Sequence, residues 1–296
     1  GARFFLGKGA ILWQRGFYQS GKEQPMSDLS VTRLTGAVGA EISGVDLNRI
    51  SDSQFETLCD TLFRRGVVIL RDQDISPEAH IALAERFGEI DVNRFFTPVA
   101  AHPMIAEVRT RAEQNTVIGG TWHSDHSYDP EPAMASILVA RELPPYGGDT
   151  LFASMTAACA GLSEGLRDTL SGLSAWHSDG SFARSEFDMG KDAAAFRPPS
   201  LHPVLIRHPE TGERAVYVNG DFTTRFDGWS EEESRPLLEY LYRAVTQPQY
   251  CCRVRWTPGS VGIWDNRTVQ HFATADYQGH ARLMHRITVK GQALER

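Results

Sequence analysis

Cysteine is scarce in this chain of 296 residues: four in all, at positions 59, 159, 251 and 252. No C-x-x-C spacing occurs, and Cys251 and Cys252 are neighbours that do not readily bridge each other, so the pattern reads as free thiols of a reducing compartment. Basic residues are too few for a nucleic-acid partner. Thirty Lys and Arg against 37 Asp and Glu leave a formal charge of −7, whereas phosphate backbones demand a basic face. No apolar run approaches the roughly 18 residues of a membrane span. Internal repeats, low-complexity tracts and a Pro/Gly/Ser linker through the body are also missing. What remains is a globular chain, expected in the cytoplasm, in which any anion must be met by a local cationic pocket. Its length is enough to bury a sizeable core.

Residues 1–25 stand apart. Arg3, Lys8 and Arg15 are mixed among Phe4, Phe5, Leu6, Ile11, Leu12 and Trp13, with Glu23 the one acid. The stretch lacks the uninterrupted apolar centre of a signal peptide. It is expected to be an extension, non-native or disordered, ahead of a single domain over 26–296 that begins at Met26.

Short strands are predicted at 29–34 and 39–42. Ser51-x-x-Gln54 is a capping box for a helix carrying Phe55, Leu58, Cys59 and Leu62, stopped by Gly66 and followed by the buried strand 67–70. Ser76-Pro77 opens a second helix, with Ile81, Ala84 and Phe87 expected inward and Gly88 as its stop. Leu162, Leu166, Leu170 and Leu173 suggest a third. A further helix over 230–242 carries Leu237, Leu238 and Leu241, with Pro236 awkward inside it unless Ser234 is the cap. Strands are predicted at 137–139, 216–218, 254–256, 261–264 and 287–289. Helices come early and strands late, without regular βαβ alternation, so the expected fold is mainly β: an antiparallel sandwich or barrel with helices outside.

The chemistry concentrates in a few segments. On an extended backbone, His123 and Asp125 in Trp122-His123-Ser124-Asp125 point to one face, an imidazole beside a carboxylate. A second imidazole would complete a two-His, one-carboxylate set with open positions; His271, after the strand-like run ending in Trp264-Asp265-Asn266-Arg267, is the best candidate. His126 falls on the opposite face, and the other histidines read as structural. In the strand Arg282-Leu283-Met284-His285-Arg286, two guanidiniums share one face with Met284, costly to bury unless they bind anions or are paired internally. Gly147-Gly148-Asp149-Thr150 reads as a turn, or as a kink that aims the Thr150 hydroxyl into the same pocket.

Taken together these segments resemble the TauD/TfdA family of Fe(II)- and 2-oxoglutarate-dependent dioxygenases, in order and spacing, from about residue 31 to 290. Val38-Gly39-Ala40-Glu41-Ile42-Ser43-Gly44-Val45-Asp46-Leu47, Phe87-Gly88-Glu89, Leu201-His202-Pro203-Val204 and Phe222-Thr223-Thr224-Arg225 add to the likeness. The resemblance implies a double-stranded β-helix, or jelly roll, with flanking helices. It implies His123, Asp125 and His271 as the catalytic iron ligands. Thr150 and Arg282 would hold the distal carboxylate of 2-oxoglutarate, and Arg286 would face the anionic group of a small organic substrate, with Phe222 as an aromatic wall. Dioxygen and 2-oxoglutarate would be consumed, and a taurine-type sulfonate would yield sulfite, an aldehyde, succinate and CO2, a step of sulfur metabolism. Alkyl sulfates and aryloxyalkanoates are the alternative substrates, and a zinc-type metallohydrolase the remote alternative, although H-E-x-x-H is missing. Family likeness also favours a homodimer or tetramer, with neither nucleic acid nor membrane as partner.

The chain departs from the taurine-preferring pattern at three places. A His and a Tyr shortly after Phe-Gly-Glu become Asn93 and Phe96, and an Asn four positions before the first ligand becomes Gly119. A pocket that keeps Arg286 but has fewer polar side chains implies an anion on a larger or more apolar body than taurine, unless neighbours such as Arg94 or Asn115 stand in for them.

Overall fold

A computed structural model describes residues 29–114, 116–180 and 196–296; the extension at 1–25, Met26 and Asn115 lie outside the described residues. In chain order the elements are β1 (Ser30–Arg33), β2 (Ala40–Ser43), α1 (Asp52–Arg65), β3 (Val67–Leu70), α2 (Pro77–Phe87), β4 (Ile90–Asp91), β5 (Pro98–Val99) and β6 (His102–Thr110). They continue with β7 (Ala135–Glu142), β8 (Thr150–Ser154), α3 (Met155–Gly161), α4 (Glu164–Ser171), β9 (Ser174–His177), β10 (Ser200–Pro203), β11 (Leu205–Arg207), β12 (Arg214–Val216) and β13 (Thr223–Phe226). Helix α5 (Glu231–Val245), β14 (Cys251–Val254), β15 (Val261–Asp265), β16 (Val269–Ala273) and β17 (Arg282–Val289) complete them.

The main sheet runs β1-β2-β3-β15-β7-β17-β6-β5, with β4 on β17; β2 and β3 are parallel, the other pairs antiparallel. A three-stranded sheet, β14-β8-β16, lies against one face of it. The alternation of side chains dictates this layering. Val68 and Leu70 of β3, Ile137 and Val139 of β7, Val261 and Ile263 of β15, and Ile287 and Val289 of β17 pack against α1 and α2. Their neighbours Val67, Ile69, Leu138, Ala140, Trp264 and Met284 face the small sheet's Phe152, Cys252, Val254 and Val269. Both faces of these strands are covered, which is why they read as continuous apolar runs. The outer face of the small sheet, through Ala153, is buried with α3, α4 and α5. The fold is a jelly roll with flanking helices, mostly β as expected.

The capping box of Ser51 and Gln54, and Gly66 and Gly88 as helix stops, stand where predicted. Three local expectations are corrected. The leucine run at 162–173 is two short helices: Gly161 lets Tyr250 come so close that a Cβ would meet its hydroxyl, Leu162 turns extended, and Ser163 caps α4. Helix α5 is capped by Ser230 with Glu233, leaving Pro236 inside it; Ser234 instead accepts from the Phe226 N–H (3.0 Å) and donates to the Ser230 carbonyl (2.7 Å). In α2, Ala84 and Phe87 are buried as expected, together with His80 and Leu83, and Ile81 is half-buried against the same core. The strands predicted at 216–218 and 254–256 end at Val216 and Val254. No helix among the described residues is long and apolar enough to cross a membrane.

The turn after β15 is held by charge in the dry interior. Asp265, fully buried, accepts from the Arg267 backbone N–H (2.9 Å), from its guanidinium (2.9 and 2.6 Å) and from His208 Nε2 (2.9 Å). Burial pushes the carboxyl pKa up, but Arg267 and His208 outweigh it and hold the group well below the usual range. Removing the carboxylate strands a buried guanidinium, so Asp265→Ala should cost about 3–5 kcal/mol of stability. Urea unfolding monitored by tryptophan fluorescence measures that loss.

Candidate metal centre and active site

His123 lies on an extended segment and His271 in the middle of β16. Two backbone hydrogen bonds join them, His123 N–H to His271 O (3.1 Å) and His271 N–H to His123 O (2.8 Å). In such a pair the side chains leave from one side, and the ring centroids are 4.1 Å apart. Asp125, two residues on, brings its carboxylate to the same place: Oδ1 is 3.7 Å from His123 Nε2 and Oδ2 is 3.8 Å from His271 Nε2. All three residues are buried, and their ligand atoms lie within 4.8 Å of one another.

Each donor is oriented from behind. His123 Nδ1 donates to the Thr121 carbonyl (2.7 Å), which leaves Nε2 with a lone pair for a metal. Burial, then His123, lowers the pKa of His271 to about 3, so it offers neutral imidazole, the form that coordinates. Its ring packs on Trp264 and Phe152, while Phe222 meets His123 edge-on at 5.9 Å. Asp125 accepts from Ser136 Oγ (2.7 Å) and Arg286 Nη1 (3.0 Å), and its N–H donates to Asn266 Oδ1 (3.2 Å). Asn266 also accepts from the Trp264 indole (2.9 Å) and donates to Ser136 Oγ (3.1 Å), closing a ring of polar contacts. Burial opposes ionisation of Asp125, yet the Arg286 guanidinium beside it prevails and keeps it ionised. Two imidazoles and a charged carboxylate converging in a buried pocket fit a divalent first-row metal such as Fe(II).

A second set of atoms fits a dianion. Arg282 and Arg286 are both buried and share the β17 face of Met284, toward the small sheet. No carboxylate among the described residues pairs with Arg282, and its Nε is a buried donor without a partner. Gly148, at φ +67°, lets the backbone lie across that side chain; a Cβ there would sit 3.1 Å from Arg282 Cδ. Thr150, on the inward face of β8 with Phe152, accepts from the Trp256 indole (2.9 Å), leaving its own O–H free to donate. A buried guanidinium that keeps an unpartnered N–H is the complement of a carboxylate.

A model of the family described as "Taurine catabolism dioxygenase TauD, TfdA family" matches residues 30–288. The chain belongs to the TauD/TfdA family. Among its relatives, "Alpha-ketoglutarate-dependent dioxygenase cnsM" of Penicillium expansum is 32% identical, covering 86% of this chain and 75% of its own. An "Alkylsulfatase" of Acinetobacter baylyi is 31% identical over 91% of this chain and 87% of its own. A solved "Taurine Dioxygenase from Burkholderia xenovorans" superposes with a TM-score of 0.77 at 33% identity, covering 90% and 92% of the two chains. This TauD/TfdA member is a dioxygenase that draws on Fe(II), 2-oxoglutarate and O2.

The remaining sequence candidates group around the metal turn. Phe96 lies with its ring 4.7 Å from the Arg286 guanidinium carbon. Phe222 packs with Phe95 and Tyr128, and Phe96, Ile118 and Phe196 join that aromatic cluster. The Asn93 amide is engaged with His126 and the backbone of its own turn. Arg94 is salt-bridged to Asp129 (3.0 Å) and Asp179 (3.5 Å). Three contributors escape sequence reasoning. Asn266 sits inside the Trp264–Arg267 motif with no role to read from it, Ser136 carries no signal in its apolar strand, and Gly119 reads as a mere absence of a polar side chain. Gly119 has φ +79°, and a Cβ there would press within 3.1 Å of His123 Cε1.

Gly119→Ala should therefore displace the first imidazole and weaken metal binding by about 10–100-fold, the range for residues that orient ligands. Anaerobic titration with Fe(II) reads the change directly.

Proposed function

We propose that this enzyme oxidises a small organosulfur anion, a sulfonate of the taurine type or an alkyl sulfate, by coupling it to decarboxylation of 2-oxoglutarate. The observation that carries this is the pair of inward-facing guanidiniums on β17, one without an ion pair among the described residues and one on the Asp125 carboxylate. His123, Asp125 and His271 would hold Fe(II), and Thr150 and Arg282 the distal carboxylate of 2-oxoglutarate. Bound there, the ion and its co-substrate supply the oxidising power for hydroxylating a C–H bond with O2.

The chain's own residues do the positioning. Arg286 places Nη1 on Asp125 and keeps Nε buried without a partner, so it has donor capacity left for a sulfonate or sulfate. Phe96 and Phe222 exclude water on either side of that guanidinium and the His123 ring, with Asn93 in the same wall. Holding the reacting C–H near the metal is worth more than any one contact. Hydroxylation next to a heteroatom gives a product that expels sulfite or sulfate and leaves an aldehyde. The relatives' names, an alkylsulfatase and a taurine dioxygenase, support an organosulfur substrate; an aryloxyalkanoate is the second reading, favoured by the aromatic cluster of Phe95, Phe96, Phe222 and Tyr128. Four free thiols support a reducing, cytoplasmic setting. A single catalytic domain over 26–296, assembled as a dimer or tetramer, belongs to the same proposal.

Succinate release should be measured across taurine, hexanesulfonate, hexyl sulfate and phenoxyacetate. At least one sulfur anion should stimulate it more than tenfold. Arg286→Ala should abolish that stimulation while leaving the anaerobic Fe(II)–2-oxoglutarate charge-transfer band visible; His123→Ala should lose the band. Equal turnover in Arg286→Ala would remove this arginine from the substrate site.

A further inference from the structure

Asn93 stands where the family likeness places a direct substrate contact, yet its side chain is already committed. Oδ1 accepts from the backbone N–H of Phe95 (2.8 Å) and of Phe96 (3.0 Å), which uses both of its lone pairs. Those two donors fix the amide's orientation and turn Nδ2 toward His126 Nε2, at 3.2 Å. A donor on Nε2 makes it the acceptor, so Nδ1 carries the proton and gives it to Asp91 Oδ2 at 2.8 Å. The chain of bonds is polarised one way throughout, from backbone amides to carboxylate.

Its ends explain its purpose. Asp91 belongs to β4, which pairs with β17 at Thr288 and Val289, two and three residues beyond Arg286. His126 directly follows Asp125 and adopts φ +58°, a left-handed conformation unfavourable for a residue with a Cβ. It is held there by these partners and by stacking on Tyr128 at 5.5 Å. Between the ends hang Phe95, edge-on to Tyr128 at 6.2 Å, and Phe96 over Arg286. The wall of the substrate pocket and the turn bearing the iron ligand are thus clamped to each other through one amide.

We propose that Asn93 is a positioning residue: with His126 and Asp91 it fixes Phe96 over Arg286, and so sets how tightly the substrate is held without touching it. This presupposes the dioxygenase reaction on an organosulfur anion proposed above. Phe96 makes the substrate contact and Asn93 acts through it.

A double-mutant cycle separates the two roles. The probe is hexyl sulfate or taurine, whichever the unmodified enzyme turns over faster, and the readouts are KM, kcat and the anaerobic Fe(II)–2-oxoglutarate band. Asn93→Ala should raise KM about tenfold, leave kcat within twofold and leave the band unchanged. In a Phe96→Ala background the same substitution should change KM less than twofold. Effects that multiply would make Asn93 a direct contact and overturn the proposal, as would an unchanged KM in the single variant. Should Asn93→Ala fail to bind metal, Asn93→Ser, which still caps the turn but is too short for His126, enters the same cycle with the same expected split. An unmodified enzyme that shows no succinate release with either probe overturns the organosulfur reading itself; turnover with a multiplicative cycle overturns only the role of Asn93.

Discussion

The active site depends on one pair of backbone hydrogen bonds, those between His123 and His271. They join residues 148 positions apart, and no side chain near them could substitute for what they do. An extended segment laid against β16 must present both imidazoles on one side, and the alternation of the strand brings the Asp125 carboxylate to within 4 Å of both. The other features of the site serve to keep that bridge in register. Asp265 fastens the turn that leads into β16, Asn266 and Ser136 receive Asp125, and Gly119 leaves room for the His123 ring.

Charge follows the same economy of placement. A protein of net charge −7 repels anions at long range, yet its jelly roll buries Arg282 and Arg286 on one face of β17. There the low dielectric strengthens every ion contact. Arg286 steadies Asp125 while retaining an unpartnered N–H, and Arg282 has no carboxylate partner at all among the described residues.

Much of this is legible in the sequence because it is local. His-x-Asp and Arg-x-Met-x-Arg declare a shared face on any extended strand, and capping boxes at Ser51 and glycine stops at 66 and 88 need only their neighbours. What escapes is non-local or steric. The partnership of Ser136 with Asn266 spans 130 positions. The break between α3 and α4 reflects Tyr250 pressing on Gly161, invisible in a leucine periodicity. Asn93 and Gly119 look like vacated substrate positions because likeness compares residue types; only geometry reveals that one amide is already bonded and that one glycine backs a ligand.

The central claim is that both imidazoles bind one ion. Pulsed EPR of the chain loaded with one equivalent of Cu(II) counts the imidazole nitrogens coupled to the metal. Two coordinated imidazoles are expected in the unmodified protein, falling to one in His271→Ala. A single imidazole, or none, in the unmodified protein would contradict the account.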